Sequence, residues 1–206
     1  MDNWEEFLGP YRQAVEELKV KLKGLRRQFE TEGTRSAIEF VTGRVKPIKS
    51  ILDKAEQKNI ALSNLEQEMQ DIAGLRIVCQ FVEDIYNVVK LLKMRNDFEV
   101  IEERDYIKEK KKSGYRSYHL LIEYPVQTIH GEKRILAEIQ IRTLAMNFWA
   151  TIEHSLNYKY NGEFPEDIQK RLLRAAEAAF LLDNEMSLIS EEIREAQAFF
   201  TSKRES

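Results

Sequence analysis

The sequence predicts a mixed β-sheet flanked by helices, in a single domain of the α/β or α+β class. Three observations lead to this prediction: helical periodicity at both ends of the chain, strand-like alternation in the middle, and helical stretches between the strands. The chain has 206 residues, of which 43% are hydrophobic. This length supports one domain with a proper core and extra helices, but not two large domains.

The first predicted element is a long helix over residues 4–31. Its apolar residues recur at helical spacing and share one face: Tyr11, Val15, Leu18, Leu22, Leu25 and Phe29. Pro10 suits a first helical position, and Gly33 suits the end of the helix.

Shorter helices are predicted between the strands. One begins at Pro47, and another covers residues 85–92, where apolar residues again fall on one face. Ser63 and Glu66 have the spacing of a capping box, which predicts a short helical turn after them.

The strands are read from alternation of apolar and polar residues, which is clearest at 74–81 and 135–142. Further strands are expected near residues 38–45, 98–103 and 117–124. A hairpin should turn near His130 and Gly131. The polar faces of the two clearest strands carry Arg76, Gln80, Glu138, Gln140 and Arg142. One surface of the sheet is therefore expected to be polar and the other to face the core.

The last predicted element is a helix over residues 165–200. Its apolar residues form a heptad seam: Ile168, Leu172, Ala175, Ala179, Leu182, Met186, Ile189, Ile193, Ala196 and Phe200. A seam this long requires a second helix as a partner. That partner is either the first helix of the same domain or another subunit, and the two do not exclude each other.

Composition excludes several classes of protein. The formal net charge is -3, so no overall basic excess indicates a nucleic-acid or membrane-binding protein. The single cysteine, Cys79, excludes an internal disulfide and a cysteine-based zinc cluster. No apolar run approaches the roughly 20 residues of a membrane span, and the acidic start is wrong for a signal peptide. We therefore expect a cytoplasmic protein.

Three basic clusters stand out in this acidic chain. They are residues 19–27, residues 108–112, and a set formed by Arg44, Lys46, Lys49 and Lys54. A single run of this kind is usually a solvated face. Three of them indicate anionic ligands bound at discrete places, and phosphates are the obvious candidates.

Two acids lie on elements that should be largely buried. Asp71 comes directly before a strand, and Glu138 lies in the middle of another. A strand glutamate that simply faces solvent is the ordinary alternative. Two carboxylates offered from a sheet, however, are what Mg²⁺ uses beside substrate phosphates, so we expect a magnesium site here.

Four segments together resemble the synthetase domain of RelA/SpoT-type alarmone synthetases. They are residues 43–46 (GRVK), 71–76 (DIAGLR), 114–119 (GYRSYH) and 138–143 (EIQIRT). A fifth segment, from Trp149 to Lys159, is similar to the helix that follows in that family. The long flanking helices resemble the small, stand-alone alarmone synthetases of the RelQ type, which are homotetramers where known.

The resemblance implies a nucleotidyltransferase-like α+β fold with a catalytic core over about residues 35–160. It also implies a reaction in which the 3′-hydroxyl of GDP or GTP attacks the β-phosphorus of ATP, giving ppGpp or pppGpp and AMP. Asp71 and Glu138 match the metal-binding acids, and Glu138 is also a candidate for taking the proton from the hydroxyl. No histidine precedes an aspartate, so the His-Asp pair of the family's hydrolase is absent.

The remaining site residues follow from the same resemblance. Arg44 and Arg76 match positions that sandwich adenine, and Lys46, Ser50 and Lys54 match phosphate contacts of ATP. The guanine nucleotide is expected at Tyr115, His119, Gln140, Asn147 and Lys112, with Tyr115 stacked on the base. An allosteric site for pppGpp is expected at Lys21, Lys23, Arg26, Phe40 and Thr42.

Other functions remain as alternatives. The basic runs and nearby tyrosines also fit an RNA-binding module, although that leaves Asp71 and Glu138 unexplained. A helical scaffold would explain only the heptads. Another nucleotidyltransferase would move AMP and release pyrophosphate instead.

Overall fold

The computed structural model describes residues 3–160 and 164–204, and it does not describe the side chains of residues 158–159 and 198–204. Phe200 and Lys159, named above, therefore have side chains outside the description. The helices are α1 (Trp4–Thr31), α2 (Ile48–Lys58), α3 (Leu65–Glu68), α4 (Val82–Lys93), α5 (Leu144–Lys159) and α6 (Glu166–Arg204). The strands are β1 (Phe40–Val45), β2 (Ala73–Cys79), β3 (Glu99–Asp105), β4 (Tyr118–Thr128) and β5 (Gly131–Thr143).

The five strands form one mixed sheet in the order β1-β2-β5-β4-β3. Strands β2 and β5 pair in parallel, and the other three pairs are antiparallel. The predicted hairpin joins β4 to β5, and Gly131 has a φ of 100° at the turn, a conformation that favours glycine. The fold is α+β, with helices around a mixed sheet, as the sequence predicted.

Helices α1 and α4 pack on one face of the sheet and form the main core with it. Leu18 and Leu22 of α1, Val88 of α4, and Ile77 and Ile139 of the central strands are all fully buried. Burial of this apolar face is the main stabilising term, because each large aliphatic side chain removed from water contributes about 1.5–3 kcal/mol. The opposite face of the sheet is left to polar side chains.

Two local predictions about helix starts were wrong. α1 begins at Trp4, because Asn3 caps it by accepting a hydrogen bond from the Glu6 N–H at 3.2 Å, so Pro10 lies inside the helix. Ser63 donates to the side chain of its neighbour, and no side chain caps α3. Pro10 is therefore not the first residue of a helix, and Ser63 and Glu66 do not form a capping box. Gly33 does follow the end of α1, with a φ of 66°.

Helix α6 packs chiefly on α5, with a smaller contact on α4, and not along α1 as one of the two interpretations required. Asp183 and Ala176 are buried in this packing. The predicted seam is open from Leu182 onward: Leu182 is 57% exposed and Ile189 is 40% exposed. Among the described residues, no helix combines the length and hydropathy needed to cross a bilayer.

Candidate active site

The polar face of the sheet forms the floor of a cleft, and the strand register aligns its side chains. One row crosses all five strands and consists of Thr42, Arg76, Gln140, His119 and Arg104. Paired residues in a sheet point to the same side, so these five face the same cleft. The row joins residues from distant parts of the sequence.

The neighbouring row contains Arg44, Gly74 and Glu138 on the adjacent strands β1, β2 and β5. Gly74 has no side chain between the other two, which leaves a gap on the floor. This gap is part of a cavity of about 220 Å³ that is also lined by Asp71 and Lys46. The smaller cavity thus opens between Arg44 and Glu138.

Helices α2 and α5 form the walls of a larger cavity on the same floor, of about 630 Å³. This volume lies within the usual range for ligand sites, roughly 300–1,000 Å³. Its lining has seven Lys and Arg side chains against three acids, although the whole chain carries a net charge of -3. Such a concentration of cations in a cleft favours a polyanionic ligand.

Asp71 lies at the edge of this cleft, held by two lysines. Its Oδ2 accepts hydrogen bonds from Lys46 Nζ at 2.6 Å and from Lys54 Nζ at 2.7 Å. Burial alone would raise the pKa of Asp71, but these hydrogen bonds outweigh it and hold the pKa below its ordinary value. The other oxygen, Oδ1, is buried and has no hydrogen-bond partner among the described residues.

Glu138 lies on the same floor, and both of its carboxylate oxygens accept hydrogen bonds. Oε1 contacts His119 Nδ1 at 3.0 Å, and Oε2 accepts from Gln140 Nε2 at 2.7 Å. Burial would raise the pKa of Glu138, but the contacts with His119 and Gln140 lower it overall. Glu138 is therefore an ionised carboxylate at neutral pH.

A chain of hydrogen bonds continues from Glu138 through His119 and Tyr115 to Arg142. Tyr115 Oη lies 2.8 Å from His119 Nε2, and Arg142 Nη2 donates to Tyr115 Oη at 2.6 Å. The carboxylate of Glu138 can only accept, so Nδ1 of His119 carries the hydrogen. In the neutral imidazole Nε2 is then an acceptor, and it takes the hydrogen of Tyr115.

Other predicted site residues fall in different places. Ser50 lies in the first turn of α2, one turn before Lys54, and is not among the residues that line the cleft. Lys112 lies outside the cleft as well and lines a separate cavity beside Trp149. Asn147 is half-buried on α5, and its Oδ1 is buried without a partner in the described part of the chain.

The predicted allosteric residues do not form one group. Lys21 pairs with Asp97 at 2.9 Å and donates to Tyr124 of β4 at 2.8 Å. Tyr124 lies on β4, three strands from Thr42 on β1, so their backbones are at least about 14 Å apart, given a strand spacing of 4.7–4.9 Å. Arg26, in contrast, donates to the backbone carbonyl of Glu39, next to β1.

Two further predicted allosteric residues lie on β1. Phe40 is half-buried at the start of the strand, and Thr42 lines the smaller cavity. Lys23 is exposed on α1, three residues before Arg26 and therefore less than one turn from it. Of the five predicted allosteric residues, Thr42 alone is among the described residues that line the smaller cavity.

The structure adds cleft residues that were not among the predicted site residues, including Arg104, Tyr106, Lys111 and Arg142. Lys111 Nζ lies 4.5 Å from the centre of the Tyr106 ring and 5.0 Å from that of Tyr115. Partial burial, together with nearby cations, lowers the pKa of Lys111. Alternation in β5 already placed Arg142 on the face of Glu138, but no pattern in the sequence indicated that β3 extends the floor.

Within the described residues, no three His, Cys, Asp or Glu side chains cluster as a complete protein-only metal site. Cys79 is buried in the core, and burial raises the pKa of its thiol. Three acids line the cleft, namely Asp71, Glu138 and Glu153. Asp71 and Glu138 are the two that were predicted to hold a cation, and further ligands would come from a bound molecule.

Comparison with known proteins gives a consistent result. Residues 43–163 match the family model described as a region found in RelA and SpoT proteins. The chain is 65% identical to the GTP pyrophosphokinase YjbM of Bacillus subtilis over 201 residues, which is 98% of this chain and 95% of that protein. It is 39% identical to the GTP pyrophosphokinase YwaC of the same organism, covering 94% of this chain and 93% of that protein.

Solved structures agree with these relatives. The small alarmone synthetase 1 of Bacillus subtilis bound to its product pppGpp superposes with a TM-score of 0.90 at 66% identity, covering 92% of this chain and 97% of that chain. A GTP pyrophosphokinase family protein from Streptococcus pneumoniae also gives a TM-score of 0.90, at 59% identity, covering 97% and 98% of the two chains.

Proposed function

Because the chain belongs to the RelA/SpoT family and is a GTP pyrophosphokinase, we propose that the cleft on the polar face of its sheet is the catalytic site. Here the 3′-oxygen of GDP or GTP attacks the β-phosphorus of ATP, and the bond from that phosphorus to the α–β bridging oxygen breaks. The products are ppGpp or pppGpp and AMP. The observation that carries the proposal is the presence of Asp71 and Glu138 in one strongly cationic cleft.

ATP is assigned to the side of the cleft formed by β1, β2 and α2. Arg44 and Arg76 come from adjacent strands and present two guanidinium groups on the floor, where they can enclose the adenine ring. Burial and the neighbouring Arg142 and Arg44 lower the pKa of Arg76. This destabilisation of the cation is relieved when phosphates enter. Lys46 and Lys54, beside Asp71, are placed to bind those phosphates.

The guanine nucleotide is assigned to the side formed by β3, β4 and α5. Tyr115 offers a ring for stacking on the base, and Gln140 lies on the floor beside it. Arg104 and Lys111 supply cations for the 5′ phosphates in place of Lys112, which lies in another cavity. Asn147 contributes a buried acceptor without a partner among the described residues.

Glu138 is proposed to take the proton of the 3′-hydroxyl. Its ionised carboxylate is held on one side by His119 and on the other by Gln140, so its position is fixed before substrates bind. We assign His119 to positioning Glu138 and Tyr115, because both of its ring nitrogens are engaged by those two side chains.

Magnesium fits the same site. The buried Oδ1 of Asp71 lacks a hydrogen-bond partner in the described part of the chain, so this oxygen is a suitable ligand for a cation. Asp71 and Glu138 would hold the ion beside the phosphates of ATP. When bound, Mg²⁺ neutralises phosphate charge and lowers the cost of bringing the attacking oxygen close.

We also propose that the chain is a homotetramer regulated by pppGpp, in the cytoplasm, where its substrates are made. The open seam of α6 supports assembly, since an exposed apolar stripe of this length requires a partner. Lys23, Arg26, Phe40 and Thr42 remain the proposed effector residues, and Lys21 is removed from the set because it pairs with Asp97.

The alternatives are less favoured. An RNA-binding module would not require two acids beneath the cations, and an acid repels a nucleic-acid backbone. A scaffold would explain only α6. An adenylyl transferase would have the same fold, but the relatives are GTP pyrophosphokinases.

One experiment tests the function. The purified protein is incubated with ATP, Mg²⁺ and either GDP or GTP, and the nucleotides are separated. We expect AMP with ppGpp or pppGpp, whereas release of pyrophosphate would identify adenylyl transfer. Glu138→Gln should lower turnover by about two orders of magnitude or more, with an unchanged melting temperature. Adding pppGpp to the wild-type assay tests the regulatory proposal.

A further inference from the structure

The loop between β3 and β4 is held by one carboxylate of helix α6. Lys110 Nζ contacts Glu177 Oε1 at 2.6 Å, and Arg116 Nη2 contacts Glu177 Oε2 at 3.2 Å. The two cations flank the segment that contains Lys111 and Tyr115. Glu177 therefore joins both ends of this segment to a helix more than 60 residues later in the chain.

Arg116 depends on this contact. Its side chain is 7% exposed, and its Nε and Nη1 have no hydrogen-bond partner among the described residues. Its guanidinium lies 4.0 Å from the centre of the Phe180 ring, also on α6. Loss of the carboxylate of Glu177 would leave a buried charged group without its acceptor, which is costly.

Gly114 brings the loop into direct contact with α6. Its φ of 88° lies in the region that favours glycine, and a Cβ there would come within 2.6 Å of Ala176 Cβ and 3.0 Å of Leu173. The turn closes with a hydrogen bond from Gly114 N–H to the Lys111 carbonyl at 2.8 Å. The loop is thus packed directly against α6, in addition to its ionic contact with Glu177.

We propose that Glu177 is a positioning residue for the guanine nucleotide, acting by fixing the loop that places Lys111 and Tyr115 in the cleft. Lys111 N–H bonds to the Tyr115 carbonyl at 3.3 Å, so the two move as a unit with the clamped segment. This inference rests on the proposed assignment of the guanine nucleotide to Tyr115. It makes α6 a determinant of nucleotide affinity.

The test compares Glu177→Gln with Glu185→Gln. Glu185 is an exposed glutamate of the same helix, and it makes no hydrogen bond or ion pair of this kind within the described part of the chain. In the Glu177 variant we expect the KM for GDP and for GTP to rise about tenfold, because two charge-assisted hydrogen bonds that order the loop are weakened. The KM for ATP should stay within twofold of wild type, and the control should match wild type throughout.

A second readout follows the loop itself. Lys108, Lys110, Lys111 and Lys112 are sites for trypsin, and brief digestion without nucleotide reports how often the loop opens. We expect cleavage there to be several times faster in Glu177→Gln than in the control. This measurement does not depend on where the guanine nucleotide binds.

The outcomes separate the proposals. Unchanged cleavage or an unchanged KM for guanine nucleotides would overturn the role of Glu177, as would an equal rise of both nucleotides' KM values. If Tyr115→Ala leaves the KM for GDP and GTP unchanged, the assigned guanine site is wrong. Faster cleavage in Glu177→Gln would then still show that Glu177 holds the loop.

Discussion

At the scale of single residues, His119 connects the acid that is proposed to accept a proton with the ring that is proposed to stack on guanine. Its Nδ1 donates to Glu138 at 3.0 Å, and its Nε2 accepts from Tyr115 at 2.8 Å. Arg142 at the far end can only donate, so the whole chain of hydrogen bonds has one direction. Each nitrogen of the imidazole therefore binds a different side chain, and each contact can be removed without the other.

Two substitutions of His119 should each keep one of these contacts and remove the other. In His119→Asn the amide nitrogen replaces Nδ1 and can still donate to Glu138, whereas in His119→Gln the amide oxygen can take the position of Nε2 and accept from Tyr115. We expect the Gln variant to lose about 10- to 100-fold in kcat, as is typical when the partner of a catalytic group is removed. The Asn variant should mainly raise the KM for GDP. Steady-state kinetics at saturating ATP measure both values, and equal losses in the two variants would contradict the division.

Asp71 leads to a prediction about metal binding. Lys54 contacts its Oδ2 at 2.7 Å and repels a second cation there, until phosphates draw the lysine away. Lys54→Gln should therefore bind Mg²⁺ alone more tightly than wild type, by several-fold, while its KM for ATP rises. Calorimetric titration with Mg²⁺ gives the first quantity. Lys49→Gln, an exposed lysine on the same helix, is the control. Mg²⁺ affinity equal to wild type in the Lys54 variant would refute the competition.

The sequence predicted part of this arrangement. Alternation within β2 and β5 correctly placed Arg76, Glu138 and Gln140 on polar faces. His119 of β4 was expected at the site from the family resemblance, but its alignment with Gln140 and Arg104 could not be predicted, because that register depends on contacts between distant segments. The same reason explains why the clamp by Glu177 was missed, whereas Lys111 falls in the basic cluster 108–112 that was expected to bind phosphates.

At the scale of elements, long periodic segments were predicted well and their caps were not. The helix expected over residues 4–31 is found at Trp4–Thr31. The capping box expected at Ser63 and Glu66 does not form, because Glu66 binds Lys133 of β5 at 2.6 Å instead. A tertiary ion pair thus replaced a local motif whose gain is only about 0.5–2 kcal/mol.

The attachment of α6 to the sheet depends on another acid. Asp183 is buried, and its Oδ2 accepts a hydrogen bond of 2.6 Å from Thr143 Oγ1, at the start of α5. Burial raises the pKa of Asp183 to about 6, although this hydrogen bond and the nearby Arg116 oppose the rise. The folded state therefore prefers the protonated acid, and ionisation of Asp183 destabilises it.

This gives a prediction for stability against pH. With the pKa raised on folding, the contribution of Asp183 is most favourable below the unfolded value near 4 and is lost as pH rises towards 6. Asp183→Asn keeps an acceptor for Thr143 without the charge. It should stabilise the protein at pH 7.5 by on the order of 2–3 kcal/mol and much less at pH 4.5. Urea unfolding at both pH values measures the difference; equal effects at the two would contradict the raised pKa.

At the scale of the whole molecule, α6 has two functions along its length. Its first half covers α5 and holds the β3–β4 loop through Glu177. Its second half leaves Leu182, Met186, Ile189 and Ile193 exposed on one stripe. The heptads predicted that α6 needs a partner, but periodicity alone did not distinguish a neighbour in the same chain from another subunit. The structure removes α1 as the partner and leaves the stripe uncovered.

The uncovered stripe predicts assembly in solution. Ile189→Asp places a charge in the centre of the seam, where burial against another helix would cost several kcal/mol. We expect this variant to sediment as a smaller species than wild type at micromolar concentration, with unchanged helix content by circular dichroism. Asn184→Asp adds the same charge on the opposite side of α6, and it should sediment as wild type. Because the first half of α6 is untouched, the KM for GDP reports whether assembly also influences the loop held by Glu177. A wild-type chain that sediments as a monomer at the same concentration would remove the seam as an interface.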